Sequence, residues 1–534
     1  SMNLEKLSGS RLTNKKWASK NVNTAIISLN SFVNLQKAYF NYSLEDAKYY
    51  IDPNLNKNNI FALYDLMLMA MNGFHGLRPH NRKYYYNTQT QIFEPIYYDG
   101  ETHYEENLLR DNIKENLNFN DAFLYSESFK EENINQILDK INMMNIDELI
   151  KDYKILSKLG SFEAKKEVKS NIKIIKQNLD VLKNFFKDFK KSDHRQKTVN
   201  KDWFNQVKKF EGKYKFNQKY IFIEDINFED QKISIYCRSK KNCSKSTIDF
   251  DDLIYLMEEN KYKGSRALIY DANIDILKDN FKVTKNIFNN HEIISSLSAD
   301  IRFNEKDKTI NLVQKFSDDW FLIKDQKIGN IKVNFDGIKN KKKNKYQFEG
   351  LGKNGLTGCL TFYNVELKEV DFMSKNGECE DSINFILTTG KINNIIVENA
   401  YSDGVDFDFS KLTIDKIKVN KSLNDCLDFS FGKYIIKKID VSKCEDKGVS
   451  VGENSNLKVN DVYINDANIG VASKDSSKVF FTNTNINLVQ TCLTANNKKQ
   501  EFNGAILETD YLNCKNYDKK IDMGDDSLIL VFKN

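Results

Sequence analysis

A 22-residue repeat runs through the last third of the 534-residue chain. Gly404, Cys426, Gly448 and Gly470 follow one another at intervals of 22 residues, and each opens a similar phrase. A unit this short has no room for a helix, a strand and long loops, but it matches one coil of a parallel β-helix. The repeat therefore predicts an elongated solenoid in which equivalent side chains of successive coils stack.

Alternation inside each phrase supports strands. Val405, Phe407 and Phe409 alternate with Asp406 and Asp408, which predicts one buried and one solvent-facing side. A second strand-like run follows in each coil, at residues 392–398, 412–419, 434–441, 457–464 and 479–486. We predict about seven coils between residues 358 and 530, with a lead-in from residue 328.

Aspartates stack along the outward side of this predicted solenoid. Asp406 and Asp428 share one position on adjacent coils, and Asp408 lies two residues further along the same side. Strand spacing puts such neighbours about 5 Å apart, so a Ca²⁺ ion, a lysine or a shared proton must offset their repulsion. The same spacing suits retaining glycoside hydrolysis. These three aspartates are candidate glycan-binding residues, with solvated surface acids, cation binding and catalysis as open alternatives.

Composition narrows the range of partners. The chain carries 80 basic and 75 acidic residues, and it has no basic patch interleaved with aromatic residues, so we expect no nucleic-acid partner. It has no run of 18 apolar residues, so we expect no membrane span. The even count of eight cysteines favours an oxidising compartment. Cys492 and Cys514 should stack, either as a disulfide or as two packed thiols.

Length and pattern predict a multidomain, mainly β protein. An α+β module occupies residues 3–125, and strongly helical spacing marks residues 126–200. Alternating strand-like runs predict a small β-rich or α+β linker domain at 201–327, ahead of the β-helix at 328–534.

Scarce residue types crowd into residues 75–103. Three of the five histidines, His75, His80 and His103, lie there with two of the three prolines, Pro79 and Pro95. The pattern reads as a loop, a strand at residues 83–86, a turn at 87–91 and a second strand at 93–98 that ends in an acid.

That hairpin would bring Asn81, before its first strand, beside Asp99, after its second strand. An amide oxygen next to a carboxylate suits an oxygen-ligated Mg²⁺ ion with bound phosphate. The hairpin is therefore a candidate metal site. The alternative is that His75, His80 and Asn81 only cap a tight loop around Pro79.

The sequence His80-Asn81, a tyrosine-rich strand and then Pro-Ile-Tyr-Tyr-Asp99 resembles the metal-binding segment of the CotH-type atypical kinases. The resemblance covers residues 56–104 and implies Asn81 and Asp99 as Mg²⁺ ligands and ATP as cofactor. It makes His75, His80 and Asp99 candidate catalytic residues. Arg78 and Arg82 are the candidate substrate-binding residues.

Such a kinase needs an N-terminal lobe with an ATP-binding lysine, and only about 55 residues precede the resemblance. Three readings stay open for the hairpin: a structural loop, a remnant or fragment of a kinase-like fold, and an active phosphotransferase.

The repeat text also resembles right-handed parallel β-helix domains of bacterial surface and polysaccharide-active proteins, some of which follow CotH-type modules. The two resemblances together imply a bacterial cell-envelope or secreted protein, in which a Mg²⁺-binding, phosphotransferase-related module is joined to a glycan-facing β-helix. A polysaccharide lyase or hydrolase acting on the β-helix face is the first alternative. A non-enzymatic adhesin or scaffold is the second.

Overall fold

The chain forms two compact units, residues 1–277 and residues 278–534, and is mainly β, with 52% strand and 23% helix. The predicted fold class, a C-terminal solenoid after an α/β region, is therefore confirmed. The computed structural model describes residues 12–13, 15–41, 59–78, 81–118, 130–147, 149–150, 153, 160–188, 219–227, 230–236, 245–258, 266–271, 274, 283–288, 291–338, 355–499 and 502–533. His80 and Pro79 lie outside these residues.

The first unit is a mixture of helices and short strands. Its helices are α1 (Lys15–Ala18), α2 (Val22–Asn41), α3 (Ile60–Ala70), α4 (Arg110–Asn118), α5 (Glu131–Met143), α6 (Ser161–Asp188) and α7 (Phe250–Glu258), with a 3₁₀ turn at Phe74–Leu77. Its strands are β1 (Lys83–Asn87), β2 (Ile92–Ile96), β3 (Lys219–Asn227), β4 (Lys232–Tyr236), β5 (Lys245–Asp249) and β6 (Arg266–Tyr270). Within the described residues, no helix is both long and apolar enough to cross a membrane.

Helix α2 joins parts of the first unit that are far apart in sequence. Its apolar side shares a core with the four-stranded sheet β5-β4-β3-β6 and with α7. The buried Gln36 amide closes this contact, because Nε2 donates to Leu268 O (2.5 Å) and Oε1 accepts from Tyr270 N (3.1 Å). The interval predicted as a linker domain, 201–327, is thus divided between the two units: its first strands pack on α2, and those from residue 283 belong to the second unit.

The predicted hairpin is present. Strands β1 and β2 pair antiparallel with Lys83 opposite Ile96 and Asn87 opposite Ile92. The apolar α3 lies against β2, and its other side shares a core with α5 and α6. The histidine-rich window and the helical section therefore fold together rather than as separate domains.

The second unit is a parallel β-solenoid. Its strands are β7 (Val283–Phe288), β8 (His291–Ser296), β9 (Asp300–Asn304), β10 (Thr309–Val313), β11 (Phe321–Lys324), β12 (Lys327–Gly329), β13 (Lys332–Asp336), β14 (Gly358–Tyr363), β15 (Glu366–Lys375), β16 (Asp381–Ile386), β17 (Thr389–Ala400), β18 (Asp403–Asp408), β19 (Lys411–Ser422), β20 (Leu427–Ser430), β21 (Lys433–Gly452), β22 (Asn456–Lys474), β23 (Lys478–Asn496), β24 (Ile506–Met523) and β25 (Leu528–Lys533).

The solenoid has about nine coils of about 22 residues, where the sequence predicts about seven. Parallel pairing begins at Thr309, which is opposite Lys332, and not near residue 328. Strands β7 to β9 precede it: β7 pairs antiparallel with β8, and β9 pairs antiparallel with β10. The early coils escape the 22-residue pattern because Phe321 pairs with Leu360, 39 residues later, so an insertion interrupts the period.

Stacked side chains fill the inside of the solenoid. Phe362, Phe385, Phe407 and Phe429 stack in one column, with ring centroids 5.2, 5.3 and 4.7 Å apart. A Cβ on Gly404 would lie 2.5 Å from the carbonyl oxygen of Cys426 on the next coil, which explains the glycine at residue 404.

Three disulfides lie along the same solenoid: Cys359–Cys379, Cys426–Cys444 and Cys492–Cys514. For Cys492 and Cys514, stacking was predicted with the disulfide and two thiols both open, and the structure shows the disulfide. Each bond closes a loop of about 20 residues, which restricts the unfolded chain.

Candidate functional site

Seven polar side chains form a compact surface on one sheet of the solenoid. This acidic face comprises Asp381, Asn384, Asp403, Asp406, Asp408, Asp425 and Asp428. Asp381 pairs with Asp403, Asn384 with Asp406, and Asp406 with Asp428, so three successive coils supply equivalent positions. The alternating residues, such as Phe407 and Phe429, are fully buried inside the solenoid. The predicted stacking of Asp406 and Asp428 is confirmed.

Asn384 is the hub of this face. Its Nδ2 lies 3.1 Å from Asp381 Oδ2, 3.0 Å from Asp406 Oδ2 and 3.5 Å from Asp408 Oδ2. The residue is only 1% exposed, so its amide is held in one place. Three carboxyl groups from two coils therefore lie within hydrogen-bonding reach of a single nitrogen.

Protein atoms packed around these carboxyls raise their pKa values, although several of the side chains keep some exposed area. Burial raises the pKa of Asp381 to about 7 and that of Asp403 to about 9. Burial, together with the charge of Asp408, holds the pKa of Asp406 well above its ordinary value. At Asp408 burial raises the pKa to about 6, and a hydrogen bond from Asp406 opposes the rise. The face therefore retains protons near neutral pH.

The column of Asp403 and Asp425 has structural partners. Asp403 Oδ1 accepts a hydrogen bond from Asp425 N (2.8 Å), and Asp425 Oδ1 accepts from Lys447 N (3.0 Å) and Lys447 Nζ (3.2 Å). Burial raises the pKa of Asp425 while Lys447 opposes it. These two acids therefore connect successive coils at the corner. Asp406 and Asp408, by contrast, have no lysine within ion-pair distance among the described residues.

One acceptor atom of the face has no donor. Asn384 Oδ1 is buried and accepts no hydrogen bond from any described residue. Asp428 Oδ1 is also buried, and Ser450 is the weak donor beside that carboxyl. A buried acceptor without a donor is unfavourable by about 1–3 kcal/mol and is usual only where a ligand or water completes the site. The face is thus short of donors, which a hydroxyl-rich ligand can supply.

A loop after β23 closes one end of the face. Ser430 Oγ donates to Glu453 Oε2 (2.6 Å), and Lys499 from the loop forms an ion pair with the same carboxylate. Asp475 Oδ1 anchors the loop by accepting from the backbone amides of Lys498 (2.7 Å) and Lys499 (2.8 Å). Burial tends to raise the pKa of Glu453, but Lys499 and Ser430 outweigh it and lower the pKa, so this carboxyl is ionised.

In the first unit, His75 brings together the predicted metal ligands of the hairpin. Asn81, only 5% exposed, donates from Nδ2 to His75 O (3.1 Å) and lies 3.0 Å from His75 Nδ1. The same Nδ1 is 2.9 Å from Asp99 O and 3.5 Å from Asp99 Oδ2. Asn81 and Asp99 thus both contact one imidazole nitrogen, Nδ1 of His75, as hairpin pairing predicts for their backbone positions.

Among the described residues, two groups of three side chains could share one metal ion, and both lie in this region. The first is His75, Asp99 and Glu101, and the second is His103, Glu105 and Glu106. The acidic face supplies no such group, so a Ca²⁺ ion there stays a prediction.

The two predicted substrate-binding arginines differ in their surroundings. Arg82 is 3% exposed and forms a bidentate ion pair with the buried Asp65, at 2.9 and 3.2 Å, while its Nε donates to Leu77 O (3.0 Å). Its guanidinium is therefore directed into the protein. Arg78 is half-buried at the end of the 3₁₀ turn.

From the sequence we did not identify Asn384 and Asp381 of the acidic face, or Glu453 and Lys499 at its end. Asn384 and Asp381 stand 22 residues before Asp406 and Asp403, so extending the repeat by one coil would have found them. Glu453 and Lys499 carry no such signal because their pairing is 46 residues apart and depends on the loop after β23.

No protein-family model, curated protein or solved structure matches this chain.

Proposed function

We propose that the solenoid cleaves a polysaccharide by acid–base catalysis, with Asp406 as the general acid and Asp408 as the general base. The observation that carries the proposal is their shared position: both carboxyls reach one Nδ2 atom of Asn384, at 3.0 and 3.5 Å. Glycoside hydrolysis uses two carboxyl groups that flank the scissile bond, one protonated and one ionised.

The surroundings of the two carboxyls shift their pKa values by different amounts, as the roles of general acid and general base require. Burial and the neighbouring charge of Asp408 keep the pKa of Asp406 well above its ordinary value, which favours its protonated form. The pKa of Asp408 is about 6, so it is ionised at neutral pH. Asp406 and Asp408 are hydrogen-bonded to each other, so they would have to separate when the sugar enters, to leave room for the attacking water. Asp406 would then protonate the glycosidic oxygen as the bond to the sugar carbon breaks, and Asp408 would take a proton from the water that attacks that carbon.

The experiment is a screen of the full chain against neutral and acidic polysaccharides, with reducing ends and unsaturated products measured separately. We expect reducing ends from at least one neutral polysaccharide. Asp406→Asn and Asp408→Asn should each lower the rate by at least about 100-fold, because general acid–base catalysis contributes about 10²–10⁴-fold.

Asp466→Asn is the matched control, because it removes one exposed aspartate of the same solenoid and should keep the wild-type rate. Unsaturated products would identify a lyase instead of a hydrolase. Absence of turnover on every polysaccharide, or full activity of Asp408→Asn, would contradict the proposal.

A second candidate function is divalent-cation binding by the hairpin, related to phosphotransfer. It is supported by His75, Asp99 and Glu101, whose ligand atoms lie close enough together to share one ion. The CotH resemblance adds Asn81 as a ligand, Mg²⁺ as the ion and ATP as its partner.

Calorimetric titration of Mg²⁺ alone and of Mg·ATP should give a binding isotherm with the wild type. The isotherm should be lost with Asp99→Ala and kept with the exposed control Glu115→Ala. No heat with wild type would remove the phosphotransfer role, whereas heat with Mg²⁺ alone would restrict the hairpin to ion binding.

We also propose a cell-envelope or secreted location. The three disulfides of the solenoid support it, because such bonds persist in oxidising compartments. Fractionation of the native host cells, with the chain detected by antibody, tests this part of the proposal: a purely cytosolic signal would contradict it.

A further inference from the structure

Large apolar side chains occupy the corner that follows the acidic strand in three successive coils. Leu387, Phe409 and Phe431 come directly after the strands that carry Asn384, Asp406 and Asp428. They are 42%, 52% and 40% exposed. The alternation of the sequence predicts Phe409 and Phe431 inside the solenoid, and that prediction is wrong, because the chain turns at these residues and directs their side chains outward.

The turn is made with left-handed backbone. Leu387, Phe409 and Phe431 have φ values of 53°, 51° and 51°. For a bulky residue this conformation costs about 1–2 kcal/mol relative to the usual regions. Asparagine, which tolerates it, stands at the equivalent corners on either side, Asn364 with φ 53° and Asn454 with φ 57°.

The fold therefore does not require apolar residues at this corner. Asparagine serves at Asn364 and Asn454 with the same backbone hydrogen bond to the following coil that Leu387, Phe409 and Phe431 make. At this corner, among the described coils, only those that carry the acidic face have a large apolar residue. The exposed Leu488, with φ 56°, lies at a different corner of a later coil. Strained backbone and exposed apolar surface are both unfavourable for stability, and they tend to occur together at binding sites.

The rings form a continuous wall. Phe409 and Phe431 stack with centroids 4.7 Å apart and planes 3° from parallel, and Phe502, from the loop that carries Lys499, lies 5.8 Å from Phe431. Phe409 directly follows Asp408 in the sequence, so the wall begins next to the Asp408 carboxyl.

We propose that Leu387, Phe409 and Phe431 form the apolar wall of a subsite that binds a neutral sugar unit of the polysaccharide beside Asp406 and Asp408. This inference rests on the proposed function and names its substrate class. A sugar ring carries an apolar face of C–H groups, and packing that face on the wall removes apolar surface from water. Its hydroxyls can donate to Asn384 Oδ1, which is buried and has no donor among the described residues.

Charge separates neutral from acidic sugars. Glu453 and Asp408 are ionised at neutral pH and lie at the same end of the face. A uronate carboxylate placed against Asp408 would be repelled, whereas a neutral hexose or pentose would not. Glu453 adds little to this repulsion, because Lys499 forms an ion pair with it.

The test is calorimetric or affinity-electrophoretic binding in the Asp406→Asn background, where the ligand should survive intact and the Asp408 carboxylate is kept. The probes are gluco-, manno- and xylo-oligosaccharides, with oligogalacturonate for comparison. We expect binding of a neutral probe and none of oligogalacturonate. Adding Phe409→Asn and Phe431→Asn should weaken the neutral Kd at least about tenfold. The melting temperature should stay the same or rise, because asparagine suits the left-handed corner.

Phe316→Asn is the matched control, since Phe316 is an exposed phenylalanine of the same unit away from this corner. The proposed subsite would be contradicted if binding were unchanged after Phe409→Asn and Phe431→Asn. A preference for oligogalacturonate would also contradict it. So would the absence of binding to every neutral probe. If the wild type cleaves no polysaccharide but neutral-sugar binding still depends on Phe409 and Phe431, the subsite is supported and the proposed catalysis is contradicted.

Discussion

The solenoid is expected to lose stability as the pH rises from about 4 to about 9, which is unlike most aspartate-rich proteins, where paired carboxylates stabilise the fold at higher pH. The carboxyls of the acidic face have higher pKa values in the folded chain than in the unfolded chain. The folded state therefore binds more protons. This contribution is complete below the ordinary pKa of an aspartate, and it is lost as the pH passes about 6 for Asp408, about 7 for Asp381 and about 9 for Asp403.

The expected size is several kcal/mol. One pKa unit corresponds to about 1.4 kcal/mol, so the change at the buried Asp381 alone is on the order of 4 kcal/mol. The carboxyls share protons, so their effects are smaller together than their sum. Asp406→Asn removes one of the crowded charges and should flatten the dependence on pH.

Hydrogen exchange of peptides from strands β18 and β20 in the full chain measures this effect, after correction for the intrinsic pH dependence of exchange. Wild type should become less protected from about pH 5 to about pH 9, Asp406→Asn much less so. Asp466→Asn, which removes an exposed charge, should behave like wild type. Protection that rises with pH in wild type would mean that the acidic carboxyls are paired with cations and not crowded.

The second large effect is expected at the buried ion pair of the first unit. Arg82→Ala would leave Asp65 charged, fully buried and without its bidentate partner. Breaking such a pair costs about 3–5 kcal/mol, so we expect a marked fall in the unfolding free energy of this unit. Burial already raises the pKa of Asp65 against the opposing effect of Arg82, so the loss of Arg82 drives this carboxyl further toward its protonated form.

Denaturant unfolding of the full chain, followed by hydrogen exchange in helix α3 and strand β1, measures the loss. Arg78→Ala is the control from the same loop and should cost less than about 1 kcal/mol. The double change Asp65→Leu with Arg82→Met should recover much of the stability, because apolar pairs of similar volume replace buried ion pairs well. Unchanged stability of Arg82→Ala with weaker ligand binding would instead support the predicted substrate-binding role.

Much of the solenoid could be predicted because a coil repeats its own physical constraints. Gly404, Gly448 and Gly470, the inward phenylalanines such as Phe407 and the stacked pair Asp406 and Asp428 all follow from one 22-residue period. The earliest coils could not be predicted, since the pairing of Phe321 with Leu360 spans an insertion that hides the period.

The surroundings of the acidic face were not predictable in the same way. Alternation predicts the Phe409 side chain inside the solenoid, but the left-handed backbone at this corner directs it outward. A single sequence gives no sign of the residue at which alternation stops. The hairpin of the first unit follows from local turn and strand signals, and its two strands are confirmed. The packing of helix α2 on strands more than 200 residues away, through Gln36 and Leu268, has no local signal.

Infrared difference spectroscopy of the full chain at neutral pH tests directly whether the acidic face holds a proton on Asp406. Wild type minus Asp406→Asn should show the carbonyl band of a protonated carboxylic acid, and the band should disappear as the pH is raised well above neutral. Wild type minus the exposed Asp466→Asn should show only an ionised carboxylate. A carboxylate signal for Asp406 at neutral pH would contradict its assignment as the general acid and with it the proposed cleavage chemistry.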